Sequence, residues 1–320
     1  NTGTVTLEGL EPGTQYYFAL YADGKQVSQS GSFKTLKDPQ LLKSKYNPKG
    51  LFNFSFEFAC GNNQSPGSSI GPSVPAFDTL NTKFRDGLDF AIQNGDWIYE
   101  ENRDFTAEQW QQQVGTEDTP QIVKDVPNLP GVWENYKTYM KRAPNVMEWH
   151  RNLPSYFTFD DHELVNDIIG TGTAGYRSRR AVFRDIGIQG WYDYLGWSNP
   201  VANKQGIHFG KAQLKSGSDI IVDKSADFTK IDMTQASNLH VHWGTKDAGM
   251  MDSETGDKEG GDPNSKVYDI VKVIDKHTIQ VSPSASETRQ SHYSIGRYSY
   301  STFKVGNSRF ILLDTKSHRD

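Results

Sequence analysis

A single cysteine, Cys60, stands among 320 residues, so no disulfide can form within the chain and cysteine usage says nothing about redox compartment. Positive charge is not in excess either. The 34 lysines and arginines are outnumbered by 39 aspartates and glutamates, giving a net charge of −5, which removes the basic field on which general nucleic-acid affinity rests. No apolar run approaches the ~20 residues of a membrane-spanning helix. The opening residues NTGTVTLEGL lack the basic stretch and apolar core of a signal peptide, and no internal repeat is evident. What is present, 35% hydrophobic and 12% aromatic residues, suffices for a sizeable core in one large domain, or one large and one small.

The first residues already read as a strand, so the chain is expected to start inside a domain. TVTLEGLEPGTQYYFALYADGKQVSQSGSFKTL alternates polar and apolar residues around a Pro-Gly turn. It resembles the last three strands of a fibronectin type III or related immunoglobulin-like (Ig-like) sandwich. Leu10, Pro12, Gly13 and Tyr16 match the corner where a tyrosine hydroxyl bonds back to the upstream backbone, although any β-hairpin with a tyrosine would read similarly. Residues 1–37 are therefore expected to be the C-terminal strands of such a module, with its other strands before residue 1. Residues 38–50, with two prolines and no periodicity, read as a linker.

A second domain is expected over 51–320. Phe52, Phe54, Phe56 and Phe58 share one face of a strand, and Cys60 continues that parity. AFDTLNTKFRD reads as a helix, and Leu88, Phe90 and Ile92 as a strand leading into Gly95 and Asp96. TAEQWQQQVG and VWENYKTYMKRAPNVMEWHRN read as helices, the latter broken at Ala143-Pro144. The strand SYFTF then delivers Asp160 and Asp161. Tyr176, Val182, Phe183, Ile186 and Tyr192 are spaced for a helix. Residues 201–290 change character to short β-branched runs around an acidic glycine loop, a β-rich insertion, after which YSYSTFKVG and SRFILLDTKSHRD resume the core strands.

Each chemical feature has an ordinary explanation on its own. Cys60 could be an inert buried thiol, Asp96 and Tyr99 a turn with an aromatic beneath it, and Asp160, Asp161 and Glu163 the acidic first turn of a helix over LVNDII. Together they place a thiol, a carboxylate and a phenol at strand ends, with an Asp-His pair at the next strand end. In an α/β sheet, side chains at the carboxyl ends of neighbouring strands converge on one crevice. Three anionic ligands suit ferric iron better than zinc, and a bridging Asp96 could hold a second, harder cation such as calcium. In the insertion, His240 and His242 share a strand face near Asp252, Glu254, Asp257, Glu259 and Asp262. Zinc or calcium is conceivable there, but two histidines without a third ligand at fixed spacing favour packing or surface roles.

FACGN, NGDWIYEE, FDDHELVND and FILLDTKSHRD, in this order, resemble the PhoD-like alkaline phosphatase and phosphodiesterase family, a branch of the calcineurin-like metallophosphoesterases. The resemblance covers residues 1 to about 200 and 293–320. It implies an α/β fold, the four-layer α/β/β/α metallophosphatase sandwich, here incomplete at its C-terminus. It implies Fe(3+) on Cys60, Asp96 and Tyr99, with Asp96 also bridging to Ca(2+). Asp161 takes the place of an asparagine ligand, His162 stands beside the scissile phosphate, and Asp160, Glu163 and Asn166 surround the ligands or serve the calcium side. The activity implied is metal-dependent hydrolysis of a small phosphoester by a two-metal centre with metal-bound hydroxide as nucleophile. Monoester, diester and phospholipid substrates, the last hydrolysed in the manner of phospholipase D, share these motifs. A secreted, periplasmic or cell-surface location is implied with it.

This chain departs from the family pattern in three places. Trp97 stands where many relatives have Tyr, and Phe159 where many have Trp. The family's remaining ligands come from Asp and His motifs downstream of LDTKSHRD, so the chain is expected to be a fragment. The competing reading is an extracellular carbohydrate- or protein-binding module with a degenerate metal site.

Overall fold

A computed structural model describes residues 2–64, 74–99, 129–163, 167–177, 181, 184–200, 206–242 and 262–316. Helix and strand are mixed, and the elements gather into three cores. At the N-terminus, β1 (Gln15–Phe18) pairs antiparallel with β4 (Gly31–Lys34), and β2 (Tyr21–Ala22) with β3 (Lys25–Gln26). The Glu11 N–H donates to Tyr16 Oη at 2.8 Å, so the hydroxyl does bond back upstream as expected.

The sheet that positions the strand-end residues is three-stranded and parallel, in the order β5 (Phe56–Ala59), β6 (Phe90–Asn94), β7 (Ser155–Thr158). Its two faces bury different chemistry because side chains alternate along each strand. Phe90 and Ile92 of β6 point to one face, where they pack on Phe303, Val305 and Leu312. Those residues belong to the hairpin of β14 (Ser301–Val305) and β15 (Ser308–Leu312). Rings fill the gap, with Tyr156 stacked on Phe303 at 3.9 Å and Phe56 edge-on to Phe310 at 5.2 Å.

Ala91 and Phe157 point the other way, into helices. The stretch after Val74 is helical as expected, but it is α1 (Pro75–Thr79) continued by a wide turn at Leu80–Phe84 and a tight one at Arg85–Gly87. α2 (Leu129–Arg142) and α3 (Pro144–Asn152) are separated at Ala143, since a proline ring clashes with the turn before it and is tolerated only in a first turn. α4 (Arg184–Tyr194) carries Ile186 and Tyr192 of the expected helix, Tyr176 is not helical, and Val182 and Phe183 lie outside the described residues. α4 lies so close to α2 that a Cβ on Gly190 would sit 2.4 Å from Val132 Cγ1. Trp97, Tyr136, Tyr139, Trp149, Ile186 and Trp191 form the centre of this layer. The helix expected at TAEQWQQQVG lies outside the described residues.

The segment that reads as β-rich in the sequence closes on itself. β8 (His208–Leu214), β9 (Ile220–Val222), β10 (Ala236–Val241), β11 (Val267–Asp275), β12 (Thr278–Ser282) and β13 (Arg289–Arg297) form an antiparallel barrel in the order β10-β11-β12-β9-β8-β13. The closing strand runs to Arg297, past the limit of about 290 read from composition, because β13 pairs with both β8 and β10 along its length. Closure removes the exposed edges that an open sheet carries. Leu214, Ile221, Phe228, Leu239, Ile279 and Ile295 fill the interior.

Candidate metal centre

All three parallel strands end at one place, and the chain turns sharply as it leaves each. Gly61 and Gly95 have positive φ, and so does Asp96 at +54°, a conformation that side chains larger than glycine rarely adopt. At Gly95 the constraint is also steric, since a Cβ there would lie 2.5 Å from Asp160 Cβ. The turns are stitched together by backbone bonds, Gly61 N–H to Gly95 O at 3.2 Å and Asn62 N–H to Asp96 O at 2.8 Å.

Glu163 ties the second and third turns. One buried carboxylate accepts from the N–H groups of Trp97 at 2.8 Å, Asp160 at 2.9 Å and Asp96 at 3.3 Å. The described residues that directly follow the acidic run, Asp161–Glu163 and 167–177, are not helical, so the run does not cap a described helix; 164–166, including Asn166, lie outside the described residues. The acidic side chains hold loop backbone instead. Asp161 Oδ1 accepts from His162 N–H at 3.0 Å and its Oδ2 from Asp167 N–H at 2.8 Å.

These turns bring Asp96, Asp161 and His162 together, with one donor atom of each within 4.8 Å of the others. Asp96 Oδ1 is buried without a hydrogen-bond partner among the described residues, an acceptor that a cation would satisfy. Asp96 Oδ2 accepts from Tyr99 Oη at 3.3 Å, and the Tyr99 ring lies 4.2 Å from that of His162, centroid to centroid. Cys60 ends its strand exposed, which sets aside the buried-thiol explanation, and it is not within the 4.8 Å group.

Crowded, partly desolvated acids resist ionisation. Burial, with Asp160 nearby, pushes the Asp96 carboxyl up to about 6. Burial, with Asp96 nearby, pushes Glu163 up to about 8 despite its N–H donors. Burial and then Asp96 raise both the Cys60 thiol and the Tyr99 phenol. Asp161 runs the other way. Burial alone would raise it, but Lys316 and the Asp167 N–H hold it below the usual carboxylate range. A bound cation reverses this logic, drawing protons off thiol, phenol and carboxyl alike.

Lys316 was not among the residues singled out in the sequence. Its ammonium lies 2.7 Å from Asp160 Oδ1 and 3.3 Å from Asp161 Oδ2. The only sequence signal was its place in the FILLDTKSHRD motif. The insertion histidines are packed rather than exposed. Both are buried, His240 against Asp185 and Thr171 and His242 against Ser294. Among the described residues they join no group able to hold a metal. Asp262 is buried near Arg289, and the other acidic loop residues, Asp252, Glu254, Asp257 and Glu259, lie outside the described residues.

Carboxylates and an imidazole gathered where parallel strands end are an arrangement in which mixed helix-and-strand proteins hold cations. The family model described as PhoD-like phosphatase matches residues 56–253, more than half of the chain, and the chain belongs to that family. Among solved structures, one described as "Structure of PhoD" is similar at 22% identity and a TM-score of 0.42, over 59% of this chain. The chain spans 32% of the length of that structure. No curated protein matches the sequence.

Proposed function

We propose that this chain carries the strand-end part of a metal-dependent phosphoester hydrolase. In this reading Asp96, Asp161, Cys60 and Tyr99 hold the cations, Fe(3+) and Ca(2+) in the assignment the family resemblance favours. Its main support is the 4.8 Å grouping of Asp96, Asp161 and His162 around a buried, unpartnered carboxylate oxygen, in a member of the PhoD-like family. The donor set fits a hard cation, since carboxylates lead it. When bound, two cations supply charge neutralisation at the phosphoryl oxygens and activation of the attacking water.

The chain's own residues do the rest. Glu163 and Asp160 keep two loops in register so that the donors converge. His162, its ring tilted against that of Tyr99, protonates the departing alkoxide oxygen. Asn166 precedes in sequence Asp167, whose N–H reaches Asp161. We read residues 1–37 as the end of an Ig-like or fibronectin III-like module, 38–50 as a linker and 51–320 as part of a four-layer metallophosphatase sandwich. Such an enzyme acts outside the cytoplasm on a small phosphoester. The binding-module reading draws on exposed aromatics in the insertion, whereas Phe228, Tyr268 and Tyr293 there are buried.

The test is elemental analysis of the purified protein together with hydrolysis of p-nitrophenyl phosphate and its bis ester before and after chelation. Bound iron with a visible phenolate band, bleached in Tyr99→Phe, and activity lost on chelation are the expected results. A colourless protein that hydrolyses either ester with only zinc bound removes Tyr99 and Cys60 from the ligand set. Activity that survives complete chelation sinks the metal reading.

A further inference from the structure

The centre and the barrel are joined by one line of buried polar contacts. From the carboxylates it begins at Lys316, whose ammonium bridges Asp160 and Asp161 and whose backbone carbonyl accepts a hydrogen bond from Thr171 Oγ1. The Thr171 carbonyl lies 3.3 Å from His240 Nε2, and His240 Nδ1 lies 2.9 Å from Asp185 Oδ2. Asp185 is held in turn by Arg184 at 2.7 Å and by the Ser294 hydroxyl at 2.6 Å. Thr171, Asp185, His240 and Ser294 are fully buried. A strand of the barrel thus reaches, through Thr171, the backbone of the residue whose ammonium sits among the proposed metal ligands.

An ammonium is a compact point charge. Against Asp160 and Asp161 it offsets the repulsion between neighbouring carboxylates, which is what a metal cation would also do. It also repels a cation that arrives beside it. We propose, resting on the metal-centre reading above, that Lys316 is a positioning residue that acts as the built-in counter-ion of the centre. It holds Asp160 and Asp161 in place without metal and weakens metal binding, and the barrel sets its strength through Thr171, His240 and Asp185.

Two measurements on the full chain move in opposite directions if this is right. After chelator treatment, Mn2+ is titrated by calorimetry, and urea unfolding is followed in EDTA. Lys316→Met binds Mn2+ about tenfold more tightly, because one nearby positive charge is gone, yet unfolds at lower urea without metal. Lys316→Arg keeps the charge and stays close to the original protein in both. Thr171→Val moves both quantities in the same directions as Lys316→Met, by less.

A lysine with a purely structural role would lower stability and metal affinity together. Unchanged or weaker Mn2+ binding in Lys316→Met therefore overturns the proposal. Should that variant not fold, Thr171→Val decides by the same criterion. If neither the original chain nor the variants bind Mn2+, the metal-centre reading fails, and this inference with it.

Discussion

Two buried polar clusters in this molecule contain similar residues and are built on opposite plans. Around Asp185, the carboxylate meets an arginine, an imidazole and a hydroxyl at 2.6–2.9 Å, all without solvent exposure. Its carboxyl is driven well below the usual range, because Arg184 and His240 outweigh the cost of burial. At the strand ends, Asp96, Asp160, Asp161 and Glu163 crowd together, with one lysine against Asp160 and Asp161. There Asp96 and Glu163 are pushed upward, and Asp96 Oδ1 has no partner among the described residues. A cluster that satisfies itself holds a fold together, whereas perturbed acids crowded at strand ends are the kind of group that gathers at functional sites.

Four substitutions or conditions break or sharpen that contrast. The largest effect is expected for His162. As the group that protonates the leaving oxygen, its replacement by alanine lowers turnover on an alkyl phosphate by about 10² to 10⁴, with metal content unchanged by elemental analysis. Equal losses on alkyl and activated aryl esters would argue against that role.

Next comes Asp185→Ala, which leaves Arg184 and His240 buried without their anion. A loss of about 3–5 kcal/mol in urea unfolding is expected. A loss below 1 kcal/mol would show that the cluster is not the structural keystone it resembles.

Third, the self-satisfied cluster carries an acid sensitivity through His242, whose pKa burial lowers to about 3. The unfolded chain takes up a proton near 6.5 that the folded chain refuses until about 3, so stability falls as pH drops through this window. Above the window His242 contributes no pH dependence. His242→Gln should flatten the decline of unfolding free energy between pH 6.5 and 5, by at most about 1.4 kcal/mol per pH unit. An unaltered slope would mean that His242 is protonated in the fold.

The smallest effect has the opposite sign. Asp96→Asn removes one charge from the stressed cluster and should raise stability in EDTA by about 1 kcal/mol while lowering metal content. Destabilisation in EDTA would mean that Asp96 is held by contacts as favourable as those of Asp185.

Local pattern carried much of this architecture. The phenylalanine alternation over 52–58 marks a strand, because period-two patterning needs only neighbours along the chain, and it does lead into β5. Pro144 marks the break between α2 and α3 for the same reason. Two of the three strand-end motifs supply Asp96, Asp161 and His162, whose donor atoms lie within 4.8 Å of one another. What escaped depends on distant partners. Barrel closure rests on β13 pairing with β8 some 75 residues earlier, at Arg289 with Leu214, and no local signal fixes that register. Lys316 meets Asp161 from 155 positions away, and one lysine among 34 basic residues carries no mark of such a partner. The acidic run after Phe159 has the composition of a helix start, yet here its carboxylates hold loop backbone.

Glu163 gives the crevice a dynamic property as well as a shape. One carboxylate holds the amide hydrogens of Asp96, Trp97 and Asp160, drawn from two loops. Those hydrogens can meet solvent only when the carboxylate lets go, so the two loops open as one cooperative unit and not as separate fraying segments. In deuterium oxide the three amides should exchange at a common rate. Glu163→Gln, with a single acceptor oxygen left to share, should split that rate into two.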